Sequence, residues 1–281
     1  LTYIEANLDT PLTVKDISQQ AGISPFHFHR LFRAQFRLSL YDLIKLLRLK
    51  RAAFQLAYRD ELKVIDIALT AQYQSPEAFS RAFLQVFGQS PRAFRKQANW
   101  APWQTRYDAL IQQRRADIPN TNSGRIGCVY LESIRIAYLS HLDEPSLLGE
   151  TLNAFIHWRK RNALGPHKSR TFNLIYQTSK SMPNHHFRLD IACEFHSLQL
   201  KACDIEAGLK LAEIPAGNYA RLRHIGSDDE LEKSINHLYQ YCLDDDYISL
   251  KDVPHLLERV RFFPDVPECE SITDIYFAIE D

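Results

Sequence analysis

The strongest constraint on this chain is an internal repeat in its first hundred residues. The stretch "VKDISQQAGISPFHFHRLFRAQFRLS" at 14–39 aligns with "VIDIALTAQYQSPEAFSRAFLQVFGQS" at 64–90, so Val14, Ile17 and Ala21 match Val64, Ile67 and Ala71. After a one-residue slip, Phe28, Arg30, Phe32 and Phe36 match Phe79, Arg81, Phe83 and Phe87. Each copy reads as two short helices around a tight turn. In the first copy Val14, Ile17 and Ala21 make an apolar stripe at helical spacing. Gly22 can take the left-handed conformation that ends a helix, and Ser24-Pro25 supplies an N-cap and a first-turn proline.

The second helix of that copy has two chemically distinct sides. Phe28, Leu31, Phe32 and Phe36 recur at helical spacing and are expected to be its buried stripe, leaving Phe26, His29, Arg30, Arg33 and Arg37 on the opposite side. A basic face led by an aromatic at the helix N-terminus suits the major groove of DNA. Between the copies, residues 41–58 form an uninterrupted helical pattern without Gly or Pro. At about 1.5 Å per residue it would run roughly 27 Å, close to the roughly 34 Å between successive major grooves on one side of B-DNA. One chain could then engage two grooves without dimerising, which makes a monomer the expected state.

Charge supports a division of labour. The net charge is zero, yet residues 1–115 carry +8 and the remainder −8. A basic portion ahead of an acidic one suggests that the first meets a polyanion. With 281 residues, 45% of them hydrophobic, the chain can bury two cores. Its five cysteines form no CxxC pair, which suits reduced thiols, and no apolar run approaches a bilayer span; a cytoplasmic location is expected.

Residues 1 to about 97 resemble the DNA-binding domain of AraC/XylS-type transcription regulators, and "IALTAQYQSPEAFSRAFLQVFGQSPRAFRK" is similar to that family's signature. The resemblance implies two helix-turn-helix motifs, at about 12–36 and 64–88, bridged by a long helix. The DNA-facing positions it implies are Ser24, Phe26, His29, Arg30 and Arg33 in the first copy and Ser75, Pro76, Glu77, Ser80 and Arg81 in the second. The copies are not equivalent. Gln72 stands where the family has glycine, so a left-handed turn there would cost on the order of 1 kcal/mol unless the turn is remodelled. Glu77 and Leu84 replace Phe26 and Arg33, leaving Arg81 as the strong ligand of the second copy. The first copy is therefore expected to supply more of the salt-dependent affinity.

A connector follows residue 97, in which Trp100 and Trp103 are expected to pack between domains. The acidic portion, 124–281, also repeats itself. "YLESIRIAYLSHL" parallels "EIPAGNYARLRHI", and "LDIACEF" parallels "TDIYFAI", with offsets of 83 and 84. Each half reads as a bent or doubled strand, a helix and two strands. The expected architecture is multidomain: an all-α tandem helix-turn-helix domain over 1–115, then an α+β domain of two βαββ repeats with an antiparallel sheet and helices on one face. Alternation sends Ile275, Phe277 and Ile279 toward the helices and Asp274 and Tyr276 the other way. Asp190 is the repeat partner of Asp274, and Tyr138 and Tyr219 each fall on the strand face opposite Ala137/Leu139 and Ala220/Leu222.

Residues 124–281 resemble the GyrI-like effector-binding domains, most closely at "IPAGNYARLRHIG" and "ITDIYFAIE", and the order of the two domains resembles Rob-type regulators. The resemblance implies a small-molecule site with Asp274 as its acid and Tyr138, Trp158, Tyr219 and Tyr276 as walls. In family members that take cationic hydrophobic drugs this acid is the counter-charge. Here Arg221 and Arg223 share the strand face of Tyr219, so a cationic ligand does not follow. The resulting expectation is a transcription regulator, with activator and repressor both open, whose partners are double-stranded DNA, a small hydrophobic or charged effector and, for an activator, RNA polymerase.

No catalytic motif, cofactor site or metal-ligand spacing stands out, and the adjacent His185 and His186 read as loop residues. Two other readings compete. One is a GyrI-like hydrolase of electrophilic small molecules using Glu194 or Asp274 as general acid/base; the other is a protein-sequestering module whose acidic surface, including "CLDDDY", mimics nucleic acid.

Overall fold

The computed structural model describes residues 1–36, 38–107, 124–142, 147–176, 188–197, 200–245 and 247–280. The chain divides into two compact units, Leu1–Pro119 with Phe263–Glu270, and Asn120–Phe262 with Ser271–Asp281. Arg37, His185 and His186 lie outside the described residues.

The first unit is helical. α1 (Thr2–Ala6) precedes one helix pair, α2 (Val14–Gln20) and α3 (Pro25–Phe36); α4 (Leu40–Tyr58) leads to a second pair, α5 (Val64–Thr70) and α6 (Pro76–Phe87), and then to α7 (Pro91–Lys96). Hydroxyl caps set the starts. Thr13, Ser39, Ser75 and Ser90 each accept from a backbone N–H of the first turn, and Thr13 and Asp16 form a reciprocal capping box. The turn of the first pair uses Gly22 at φ +69°, where no Cβ penalty arises. The second places Gln72 at φ +63°, so the left-handed turn is kept despite the side chain.

The two pairs are packed unequally. In α6, Phe79, Phe83 and Phe87 are fully buried, with Phe83 and Phe87 stacked at 4.4 Å and Phe94 of α7 edge-on to both. Trp103 stacks on Phe87 at 5.3 Å and Trp100 meets Phe54 and Phe94, so both tryptophans belong to the first unit's aromatic core. In α3 only Phe32 is buried; Phe28 and Phe36 are half-buried and Leu31 is 51% exposed, contrary to the expected stripe. The physical reason is the missing lid: α6 is capped by α7 and two tryptophans, whereas α3 runs almost directly into α4.

The segment Phe263–Glu270 adds a buried charged pair to this unit. Lys50 of α4 donates to Glu268 Oε1 at 2.7 Å and to the Tyr107 hydroxyl at 2.8 Å, and Arg59 holds both oxygens of Asp265.

The second unit is an antiparallel sheet with helices. Its strands are β1 (Gly127–Leu131), β2 (Ile134–His141), β3 (Thr171–Ile175), β4 (Leu189–Glu194), β5 (Leu209–Ile214), β6 (Gly217–Ile225), β7 (His255–Arg261) and β8 (Ile272–Ala278). Its helices are α8 (Leu148–Arg161), α9 (Ala202–Glu206) and α10 (Leu231–Asp244). The order β1-β6-β8-β7-β3-β4-β2-β5 is its own mirror under exchange of halves. The doubled first strand of each half is split across the repeat: β1 pairs with β6 and β5 pairs with β2.

Alternation along each strand separates two cores. On one face Phe155 and Trp158 of α8 pack on Ala137, Leu139 and Ile191, and Leu238 and Cys242 of α10 pack on Leu222, Ile275 and Phe277. The other face carries Ile136, Phe172, Leu174, Tyr219, Leu256 and Tyr276.

Candidate functional site

In the first unit, α3 and α6 place the DNA-facing candidates. Phe26 is 75% exposed, and His29, Arg30 and Arg33 are exposed beside it. Ser24 Oγ accepts the His27 N–H at 3.3 Å, so it fixes the start of α3. On α6, Ser75 Oγ accepts the Ala78 N–H at 3.2 Å, Pro76 occupies the first turn, Ser80 is half-buried and Arg81 is exposed. The Glu77 carboxyl is held below its ordinary value by its own backbone N–H, by the Ser75 hydroxyl and by the Arg81 charge one turn on. Glu77 therefore caps its helix and offsets Arg81, and Leu84, half exposed, presents no charge.

The second unit gathers most of its candidates on the sheet face opposite α8 and α10. Two cross-strand rows organise it. In one, Arg223, Asp274, Glu258, Phe172, Ala192 and Tyr138 lie side by side; in the other, Arg221, Tyr276, Leu256, Leu174 and Asp190 do so. Asp274 and Glu258 are thus directly opposed, an arrangement of like charges that needs compensation. Arginines supply it. Arg223 donates through Nε to Asp274 Oδ1 at 2.7 Å and through Nη2 to Oδ2 at 2.8 Å, and Arg221 Nη2 reaches Oδ2 at 2.8 Å. Glu258 accepts two bonds from Arg170, at 2.7 and 2.8 Å, and one from the Tyr276 hydroxyl at 3.0 Å. Asp190 repeats the motif with Arg188 and the Tyr176 hydroxyl, the latter at 2.7 Å.

Titration follows from these contacts. Burial pushes the Asp274 carboxyl up, but the Arg223 hydrogen bonds and the Arg221 and Arg223 charges outweigh it, so its pKa is lowered and it stays ionised. The Tyr276 hydroxyl is raised by burial and by the neighbouring Glu258 and Asp274 charges, and Tyr176 is pushed up to about 12 by burial and by its bond to Asp190. Both phenols remain neutral donors at physiological pH.

Tyr219 stands edge-on to Tyr276 at 6.3 Å and donates to the Pro215 carbonyl, and Tyr138 packs half-buried against the same cluster. Trp158 is a correction. It is 1% exposed among the residues between α8 and the sheet, on the opposite face from Tyr138, Tyr219, Asp274 and Tyr276. A tryptophan in an amphipathic helix packs toward the sheet it covers, and this helix covers the other side. Sequence reasoning missed Arg170, Arg188, Tyr176 and Glu258 altogether. Strand alternation gives each of them a face, but only the β3–β7 and β7–β8 registers bring Glu258 beside Arg170, Tyr276 and Asp274. Among the described residues no group of His, Cys, Asp and Glu is arranged to hold a metal ion, and no helix is long and apolar enough to cross a membrane.

Comparison with known proteins places both units. Residues 17–97 match a helix-turn-helix domain family, and residues 126–280 match the GyrI-like small molecule binding domain family. The HTH-type transcriptional regulator YbfP of Bacillus subtilis is 39% identical over 95 residues, which is 34% of this chain and 32% of YbfP. The transcriptional regulator Rob of Salmonella typhimurium is 31% identical over 36% of this chain and 35% of its own length. A probable transcriptional regulator of Escherichia coli, YgiV, is 27% identical over 55% of this chain and 95% of its own. The chain thus spans about a third of YbfP and of Rob, and nearly all of YgiV. With its second unit matched almost end to end and a helix-turn-helix domain of the AraC type ahead of it, this chain belongs to the GyrI-like small-molecule-binding family.

Proposed function

We propose that the chain is a sequence-specific, DNA-binding transcription regulator, with residues 1–115 as its DNA-binding portion and 124–281 as its effector-binding portion. One observation supports this above the rest: two capped helices of the same register, α3 and α6, stand at either end of a 19-residue helix and keep Arg30, Arg33 and Arg81 exposed. That helix measures about 28 Å, near the spacing of successive major grooves. The effector is a small molecule taken on the sheet face of Tyr138, Tyr219, Asp274 and Tyr276. RNA polymerase is the further partner where the bound chain activates.

A footprint on promoter fragments tests the reading. Protection of two blocks about one helical turn apart, by a monomer, is expected; protection of a single groove, or equal retention on every sequence, contradicts it.

Hydrolysis is the weaker reading. A general acid near neutrality needs a raised pKa, whereas Asp274 is ionised and held by two arginines.

A further inference from the structure

The chemistry of the proposed effector can be read from which groups on the sheet face are already used. Each of the three networked carboxylates has both oxygens occupied: Asp274 by Arg221 and Arg223, Glu258 by Arg170 and Tyr276, Asp190 by Arg188 and Tyr176. These acids lie deep. The side chains of Asp190, Asp274 and Glu258 are 1%, 3% and 13% exposed, against 32% to 40% for the four arginines paired with them. Among the described residues, the half-buried Glu194 is a further acid of this face, and Lys210 is a further, exposed cation in the row of Tyr138.

The donors are not exhausted. Every one of these arginines spends Nη2, and three of them Nε, on the carboxylate beneath, so their Nη1 groups have no partner among the described residues. Arg221 goes further: its Nε is buried from solvent and makes no hydrogen bond among the described residues. A buried donor without an acceptor costs about 1–3 kcal/mol, and a guanidinium already clamped in one orientation can bind an incoming anion with little further ordering. A cation approaching this face would meet guanidinium groups first, and the oxygens of Asp190, Asp274 and Glu258 below them are already bonded.

The geometry points to an anionic amphiphile as the effector: an apolar or aromatic body that rests on the half-buried Val129, Leu131, Tyr138 and Tyr176, above the buried Phe172, Leu174, Tyr219 and Tyr276, with a carboxylate or similar oxyanion received by Arg221 and Arg223. This rests on the reading of the second unit as a small-molecule sensor, and departs from the counter-charge role that resemblance implied for Asp274.

Titrating the full chain with two naphthalene probes of one shape and opposite charge, 2-naphthoate and 2-naphthyltrimethylammonium, tests it by calorimetry. Naphthoate should bind about ten-fold more tightly or better, the preference shrinking as salt is raised. In Arg221→Gln the preference should fall to near unity, and Arg221→Lys should recover part of it; the wild-type comparison stands even if a variant misfolds. Tighter binding of the ammonium overturns the anionic assignment and leaves sensing intact. An anion preference that Arg221→Gln does not change also overturns it. Binding of neither probe removes the sensing reading along with the inference.

Discussion

Gln72 shows how one residue can hold a conformation that its own side chain disfavours. Its φ of +63° matches that of Gly22 in the other copy, and for a residue with a Cβ this costs roughly 1 kcal/mol. The side chain offsets that cost. Gln72 Nε2 donates to the Asp9 carbonyl at 2.5 Å, while Arg48 donates to the flanking Leu8 and Thr10 carbonyls at 2.8 and 2.6 Å, so the 8–10 stretch is tied to both α4 and the second turn. Gln72→Ala should lose the bond and keep the strain, lowering stability by about 1–2 kcal/mol. Gln72→Gly loses the bond and relieves the strain, so it should lie within about 0.5 kcal/mol of wild type. Urea titration distinguishes the two; equal losses would show that the hydrogen bond, not the backbone, dominates. The departure from glycine was visible in the sequence, but its remedy was not, because Asp9 is 63 residues away.

At the scale of elements, the two DNA-facing helices differ in what their charges are free to do. Arg30 and Arg33 make no ion pair among the described residues, whereas Arg81 shares its helix face with Glu77. Arg30→Ala should reduce the slope of log affinity against log salt by about 0.9, and Arg81→Ala by less, since Glu77 already offsets part of that charge. Gel-shift titrations across a salt series measure both, and an equal or larger change from Arg81 would refute the ordering.

The strand–helix repeat makes a second prediction. His141 and His224, 83 residues apart, are both buried and each bonds a hydroxyl of the following helix, Thr151 at 2.8 Å and Ser234 at 2.9 Å. Burial lowers the His224 pKa below the ordinary histidine value of about 6.5, an effect only partly offset by its bond to the Ser227 carbonyl. The unfolded chain then binds this proton before the folded one does, so the stabilisation is complete above about pH 6.5 and is lost as pH falls toward the folded pKa. Trp158 fluorescence in urea at stepped pH should show this slope, and His224→Gln should flatten it by up to about 1.4 kcal/mol per pH unit; an unchanged slope would assign it to other groups. The duplicated helices and the two βαββ halves were legible because hydrophobic period survives in one sequence. The inert half of α3 was not: Leu31 has the right spacing and merely lacks a lid such as α7 gives α6.

For the whole molecule, the division into units does not follow chain order. Phe263–Glu270 joins β7 to β8, strands of the second unit, yet folds as part of the first. Its reason is a buried ion pair: Lys50 and Glu268 are 5% and 8% exposed, and the ammonium also meets the Tyr107 hydroxyl and the rings of Tyr107 and Phe263. The polar and charged letters between two strands read as a turn, and no pattern in them reveals a partner 218 residues away. Two charges removed from water are stabilising only as a pair. Glu268→Leu, which takes the carboxylate from the buried ammonium, should therefore cost about 3–5 kcal/mol of first-unit stability, while Lys50→Met with Glu268→Leu should recover most of that loss. Trp100 and Trp103 report on this unit and Trp158 on the other, so a Trp158→Phe background lets urea unfolding follow the first alone. If the double variant is as unstable as the single, the segment is held by Asp265 with Arg59 and by Phe263 against Phe54, not by the buried pair.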